Sequence, residues 1–188
     1  MAHITLPTDE PGIVGLMRYR PETAVPLNAL AEVLLRSDNT LTRGERELIA
    51  TYVSSLNDCN FCASSHAAFA AAQLPAGMPL VNAVRLDPDT ADITPKMRAL
   101  LAIAAAVQQG GLKVTESEIG AARAEGATDV EIHDTVLIAA AFCMFNRYVD
   151  GLGTWAPEDP AAYEATAARI VDRGYGSSLD DEPEPHGR

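Results

Sequence analysis

Apolar residues recur at three- and four-residue intervals through most of this chain, the period of helices that bury one face. Leu27, Leu30, Ala31, Leu34 and Leu35 set that spacing between Pro26 and Arg36 and predict a first helix. Thr42 followed by Glu45 has the pattern of a capping box and opens a second helix, running to about Leu56. Asn57 and Asp58 then break and recap the chain, so a third helix is predicted from about Cys59 to Ala72, stopped by Pro75 and Gly77. A shorter helix is expected over Pro79 to Arg85. Thr94 before Pro95 reads as an N-cap with proline at the first helical position, and Gly110-Gly111 ends that helix after Gln109. Thr115 with Glu118 and Thr128 with Glu131 open two more, to about Gly126 and about Gly151, and residues 160–173 complete the set.

Both ends depart from this period. Residues 1–26 hold Pro7, Pro11, Gly12, Gly15, Pro21 and Pro26, so they are predicted to form an extended arm that wraps a neighbour or its own core. Residues 176–188 have no apolar periodicity and are expected to be an acidic, solvated tail, which leaves 27–175 as the helical domain. Within it, LTRGERELIA at 41–50 aligns with ITPKMRALLA at 93–102, pairing Thr42 with Thr94, Arg46 with Arg98 and Leu48 with Leu100. Two related helical units are therefore expected. Glu47 aligns with Ala99, and no cysteine pair follows the second copy, so the carboxylate and the thiols occur together.

Composition narrows the fold and the function. Of 188 residues, 47% are hydrophobic, enough for a core, while 32 alanines against 5% aromatics favour closely packed helices over sheet. An all-α domain is predicted. A net charge of -12 argues against a nucleic-acid partner. The longest apolar run, Val136 to Phe145, is too short for a membrane span, and the opening MAHITLPTDEPG lacks the basic and apolar regions of a secretory signal, so a cytoplasmic location is expected. Three cysteines do not make a disulfide scaffold, and the pair Cys59 and Cys62 points to redox or metal chemistry.

The segment LNDCNFCASSH spaces Cys59, Cys62 and His66 by three and four residues, which places all three on one narrow helix face. Ala63 and Ala70 share that face and shield little. Cys62 and His66 form an i,i+4 pair, so the imidazole is a candidate base towards the thiol. The helix N-terminus and an imidazolium both favour a thiolate at Cys62, whereas Asp58 opposes ionisation of Cys59. That balance favours Cys62 as nucleophile and Cys59 as its resolving partner. A haem-attachment motif would need histidine directly after the second cysteine, where Ala63 stands, and three ligands without a second CxxC make a poor structural zinc site.

Glu47 lies opposite the stripe formed by Leu48, Ile49, Tyr52, Val53 and Leu56, a position that suits a solvated face. Ala50, Thr51 and Ser54 flank it, however, and such small residues let another helix or subunit approach. Cys143 reads as core packing, Asn146 and Arg147 as structural, and His3 and His133 carry no assignment.

With Glu47 the pattern becomes E-x(11)-C-x(2)-C-x(3)-H, which resembles the AhpD-like alkylhydroperoxidases of the carboxymuconolactone decarboxylase superfamily. FNRYVDGLG at 145–153 is similar to the segment that ends the domain in the peroxidase-related branch, and the likeness covers roughly residues 27–155. The resemblance implies an all-α fold, assembly as a trimer or hexamer that would supply the second surface Glu47 needs, and no cofactor. It further implies that Cys62 attacks the O–O bond of a peroxide, that Cys59 closes a disulfide, and that His66 and Glu47 move protons. The reductant it implies is a protein or small thiol, in the founding system a lipoyl-bearing protein. Phe61 departs from the pattern, because the founding members carry histidine just before the second cysteine. The sequence thus predicts a thiol peroxidase acting on hydrogen peroxide or an organic hydroperoxide, with a thiol-disulfide exchanger or redox sensor as the alternative. A helical assembly module with incidental cysteines is the non-enzymatic reading.

Overall fold

A computed structural model of the chain describes residues 2–176. Nine α-helices and one 3-10 turn, with no strand, make up the described residues. They are α1 (Gly12–Tyr19), α2 (Pro21–Arg36), α3 (Arg43–Leu56), α4 (Asn60–Gln73), α5 (Gly77–Leu86), α6 (Pro95–Gln109), α7 (Glu116–Ala124), α8 (Asp129–Gly151) and α9 (Pro160–Arg173). The all-α prediction holds. The expected acidic tail lies almost wholly outside the described residues.

The helix starts read from the sequence are built as their residue types require. Thr42 accepts a hydrogen bond from the Glu45 N–H at 3.2 Å while its own N–H donates to the Glu45 carboxylate at 2.8 Å, which satisfies two of the donors a helix N-terminus leaves over. Thr128 and Glu131 do the same at 3.2 and 2.7 Å. Thr94 caps Met97 at 3.1 Å, and the Thr115 N–H donates to Glu118 at 2.7 Å.

The arm is the main correction. Residues 12–19 are helical, and α2 begins at Pro21 with Pro26 inside it. Pro21 costs nothing at the first helical position, where no intrahelical bond is required of its nitrogen. Pro26 removes one bond to the carbonyl of Glu22, but both residues are exposed, so the freed carbonyl is on the solvent side of the helix. Only residues 2–11 remain irregular, and they fold back on the same chain: the His3 N–H reaches Leu152 O at 2.8 Å and the Gly12 N–H reaches Trp155 O at 2.9 Å.

The two aligned segments become α3 and α6, and their paired arginines do the same job. Arg46 donates to Leu34 O and Ser37 O at 3.0 and 2.8 Å; Arg98 donates to Pro88 O and Ala91 O at 3.1 and 3.0 Å. Each guanidinium ties the start of its helix to the chain that enters it. α3 is the centre of the fold, packed against α2, α4, α5, α6 and α8, with α9 lying along α4. Leu48, Ile49 and Val53 of α3 meet Leu100, Leu101 and Ile103 of α6 and Ile138 and Phe142 of α8 in one continuous core. Because neighbours surround α3, its second face is also dry: Glu47, Ala50, Thr51 and Ser54 are all buried. No helix among the described residues is long and apolar enough to cross a membrane.

Candidate active site

Asp58 has φ +56° at the turn between α3 and α4, a conformation that Asp tolerates better than most residues and that lets the chain reverse within three residues. The reversal puts Cys59 at the N-cap of α4 and Cys62 in its first turn, and lays His66 beside Glu47 of α3. Cys59 is fully buried and Cys62 is 3% exposed, and both are free thiols. They pack with Val149 of α8, under Ile13 and Phe61.

Glu47 is 1% exposed, so the solvated-face reading fails. Nor does a second subunit supply its surface: the partners come from the same chain. One carboxylate oxygen lies 2.6 Å from His66 Nδ1, and the other accepts the Tyr175 hydroxyl at 2.5 Å. A buried carboxylate costs several kcal/mol unless its oxygens are bonded, and these two donors meet that requirement. Glu47 takes the Tyr175 hydroxyl on one oxygen and faces His66 Nδ1 with the other, so the imidazole turns Nε2 to its other side. Phe142, Phe69 and Tyr175 hold the imidazole, with ring centroids at 4.5, 5.1 and 6.2 Å. The imidazole's hydrogen-bond partner is thus Glu47 rather than Cys62.

Cys62 and His66 instead meet across a cavity of about 100 Å3. Its walls are mostly apolar, from Ile13, Met17, Leu27, Phe61, Phe142 and Phe145, with Ser65 and Arg169 among the polar groups. Cys59 is not among the lining residues and sits behind Cys62. Its thiol is pushed well above the ordinary thiol range, first by its hydrogen bond to the Cys62 sulfur, then by burial and by the neighbouring Cys62 and Asp150. Ionisation of Cys59 is thus disfavoured while the Cys62 sulfur lies against it. The carboxyl that contributes to this is Asp150, at the end of α8, rather than Asp58. Phe61 packs over Gly12, whose φ of +55° and lack of a side chain leave room for the ring, and forms an apolar wall of the cavity.

Sequence reasoning missed Tyr175 and Asp150. Tyr175 follows the last helix and belongs to no local motif; Asp150 lies within the FNRYVDGLG segment, where only its link to Cys59 in space marks it. Cys143 takes an Asn57 N–H at 3.5 Å, Asn57 also donates to Asn146 at 2.9 Å, and Asn146 donates to Ser54 at 3.0 Å. Arg147 bonds the Cys143 carbonyl at 2.8 Å. The Asn57 and Asn146 contacts tie α8 to the end of α3, while the Arg147 bond lies within α8. Among the described residues no group of three or more His, Cys, Asp or Glu side chains is placed to hold a metal ion.

Fold and site together define an all-α domain with a paired-cysteine helix start and a buried carboxylate-imidazole pair. The carboxymuconolactone decarboxylase family matches residues 21–74 and 78–156, and the chain belongs to that family. Among solved structures it is similar to an uncharacterised peroxidase-related protein from Ralstonia eutropha JMP134, described as an alkylhydroperoxidase AhpD core. That protein is 27% identical, with a TM-score of 0.74 over 84% of this chain and 80% of the other. An uncharacterised peroxidase-related protein from Silicibacter sp. TM1040 is 25% identical, with a TM-score of 0.73 over 82% and 78% of the two chains. No curated protein matches the chain.

Proposed function

We propose that this protein is a thiol-dependent peroxidase that reduces hydrogen peroxide or a small organic hydroperoxide through a Cys59–Cys62 disulfide. The observation that carries the reading is the shared cavity. It presents one sulfur, Cys62, and one imidazole, His66, to the same small apolar space, with the second sulfur directly behind. At about 100 Å3 the space suits a peroxide of a few heavy atoms better than a drug-sized ligand, whose pockets run from roughly 300 Å3.

In this mechanism His66 Nε2 takes the Cys62 proton, and the thiolate attacks the terminal peroxide oxygen. The O–O bond breaks, an S–O bond forms, and the departing oxygen takes the proton back from His66 as an alcohol or water. Cys62 is left as a sulfenic acid. That change removes the Cys62 thiol that held the Cys59 proton. The Cys59 sulfur then attacks Cys62, its proton leaves with the hydroxyl as water, and the disulfide closes. An external dithiol returns two electrons and two protons by exchange, and a lipoyl-bearing protein fits that chemistry. The sum is one peroxide and one dithiol giving an alcohol, water and a disulfide.

The two cysteine variants test this. With one equivalent of peroxide, Cys59→Ser should accumulate sulfenic acid on Cys62, and excess peroxide should drive it to sulfinic acid, read by mass spectrometry. Cys62→Ser should react slowly. If the variants exchange these behaviours, Cys59 is the attacking sulfur. If neither forms sulfenic acid while the wild type still exchanges disulfides, the protein is a thiol-disulfide exchanger.

A further inference from the structure

The Glu47–His66 pair has a third member, supplied by a part of the chain beyond the residues that match the family. After α9 the backbone turns at Gly174, with φ +81°, where a side chain would run into the Glu32 carboxylate of α2. The same carboxylate accepts the Tyr175 N–H at 2.8 Å. Arg36 fixes Glu32 through a 3.0 Å bond and also donates to the carbonyls of Ile170 and Val171 at 2.7 and 3.1 Å. α2 thus clamps the end of α9 so that the Tyr175 ring enters the site. There it lies nearly parallel to His66, at 18°, meets the edge of Phe69, and donates its hydroxyl to Glu47.

A phenylalanine would fill the same space, so packing does not explain the hydroxyl. We propose that Tyr175 is a positioning residue of the peroxidase site: by occupying one oxygen of Glu47 it aims the other at His66 Nδ1 and sets the proton affinity of the imidazole. This rests on the peroxidase reading above. Burial, then the Glu47 charge, push the phenol well above its usual range, so the hydroxyl is a donor to Glu47 at neutral pH. A carboxylate that already accepts one strong hydrogen bond is a weaker base towards the second donor. Loss of the Tyr175 hydroxyl should therefore strengthen the pull of Glu47 on the His66 imidazole.

Other charged and titratable groups lie around the Glu47, His66 and Tyr175 site. Arg46 of α3 acts on Glu47, Glu32 and Arg36 of α2 act on Tyr175, and Cys62 of α4 and Arg169 of α9 line the cavity, where α8 presents the apolar Phe142 and Phe145. None of them changes in a Tyr175→Phe variant, which removes the hydroxyl and keeps the ring.

The test is a His66 ring titration by NMR in the full chain with labelled histidine, run beside a pH profile of peroxide turnover. In Tyr175→Phe the His66 midpoint should rise by about one pH unit, the effect of losing one hydrogen bond to the anion. Turnover should fall about tenfold on the acid limb and converge with wild type at alkaline pH. Site-specific replacement of Tyr175 by 3-fluorotyrosine, a stronger donor with nearly the same packing, should move the midpoint down, so the two changes have opposite signs. A folded Tyr175→Phe variant whose His66 titration overlays the wild type, or whose activity falls equally at every pH, overturns the proposal. If the midpoint moves in both directions as stated while the wild type shows no peroxide turnover, the positioning role stands and the peroxidase reading is what fails.

Discussion

Replacing Glu47 by Gln keeps the shape of the side chain and removes its charge at the point where α3 and α4 meet. The wild-type carboxylate accepts two hydrogen bonds, at 2.6 Å from His66 and 2.5 Å from Tyr175, with 1% of the residue exposed. A glutamine amide accepts one of them through its oxygen, but its NH2 group must face the other donor. If the oxygen stays with Tyr175, the NH2 faces Nδ1, and His66 relieves the clash by moving its proton to Nε2. The nitrogen facing the cavity is then a donor and takes no proton from Cys62. Loss of one charge-assisted hydrogen bond, about 1.5–3 kcal/mol, sets a floor of roughly 10–150-fold on the loss of kcat/KM. Complete loss of general-base assistance sets a ceiling near 10⁴-fold. Stopped-flow peroxide consumption with excess dithiol measures the rate, and circular dichroism verifies that the variant is folded. The sulfenic acid product should still form on Cys62, only more slowly, because the sulfur itself is untouched. A folded Glu47→Gln protein with kcat/KM within threefold of wild type at pH 7 would refute the reasoning and leave Glu47 as a buried structural group.

Two further outcomes test the scaffold. Glu131 is fully buried, and burial alone would raise its pKa. The hydrogen bonds from Lys96, the Thr128 backbone and the Thr40 hydroxyl outweigh burial and bring it to about 2. Its folded value is below its unfolded one, so its contribution is present above about pH 4.5 and lost as pH falls towards 2. Lys96→Met should therefore lower urea stability at neutral pH and converge with wild type near pH 2–3; a gap that stays constant with pH would show that the ion pair is not the cause. Gly12→Ala forces a side chain into a left-handed position occupied by the Phe61 ring, and should cost about 1–2 kcal/mol, lowering Tm by roughly 2–8 °C. An unchanged melting temperature would mean that Phe61 moves aside freely.

Short-range information in the sequence determined most of the helices of this protein. Thr42, Thr94, Thr115 and Thr128 start helices because their side chains or their partners three residues on satisfy backbone groups within one turn, and no distant contact is needed. The grouping of Cys59, Cys62 and His66 was legible for the same reason, since helical spacing alone puts them on one face. What the spacing could not assign is each group's partner. Glu47 lies opposite the apolar stripe of its own helix, and only the packing of α4, and of the chain after α9, against that side turns a polar face into a buried one. Residues 12–36 are helical despite their prolines because Pro21 stands at the first helical position and Pro26 is on the exposed side, where tertiary packing of the opposite face outweighs the cost of an interior proline. Tyr175 reaches Glu47 from 128 positions along the chain, and Asp150 reaches Cys59 from the far end of α8. Contacts of that separation are set by how whole helices pack, so the sequence carried the candidate groups, and tertiary structure decided which of them lie within hydrogen-bonding reach of one another.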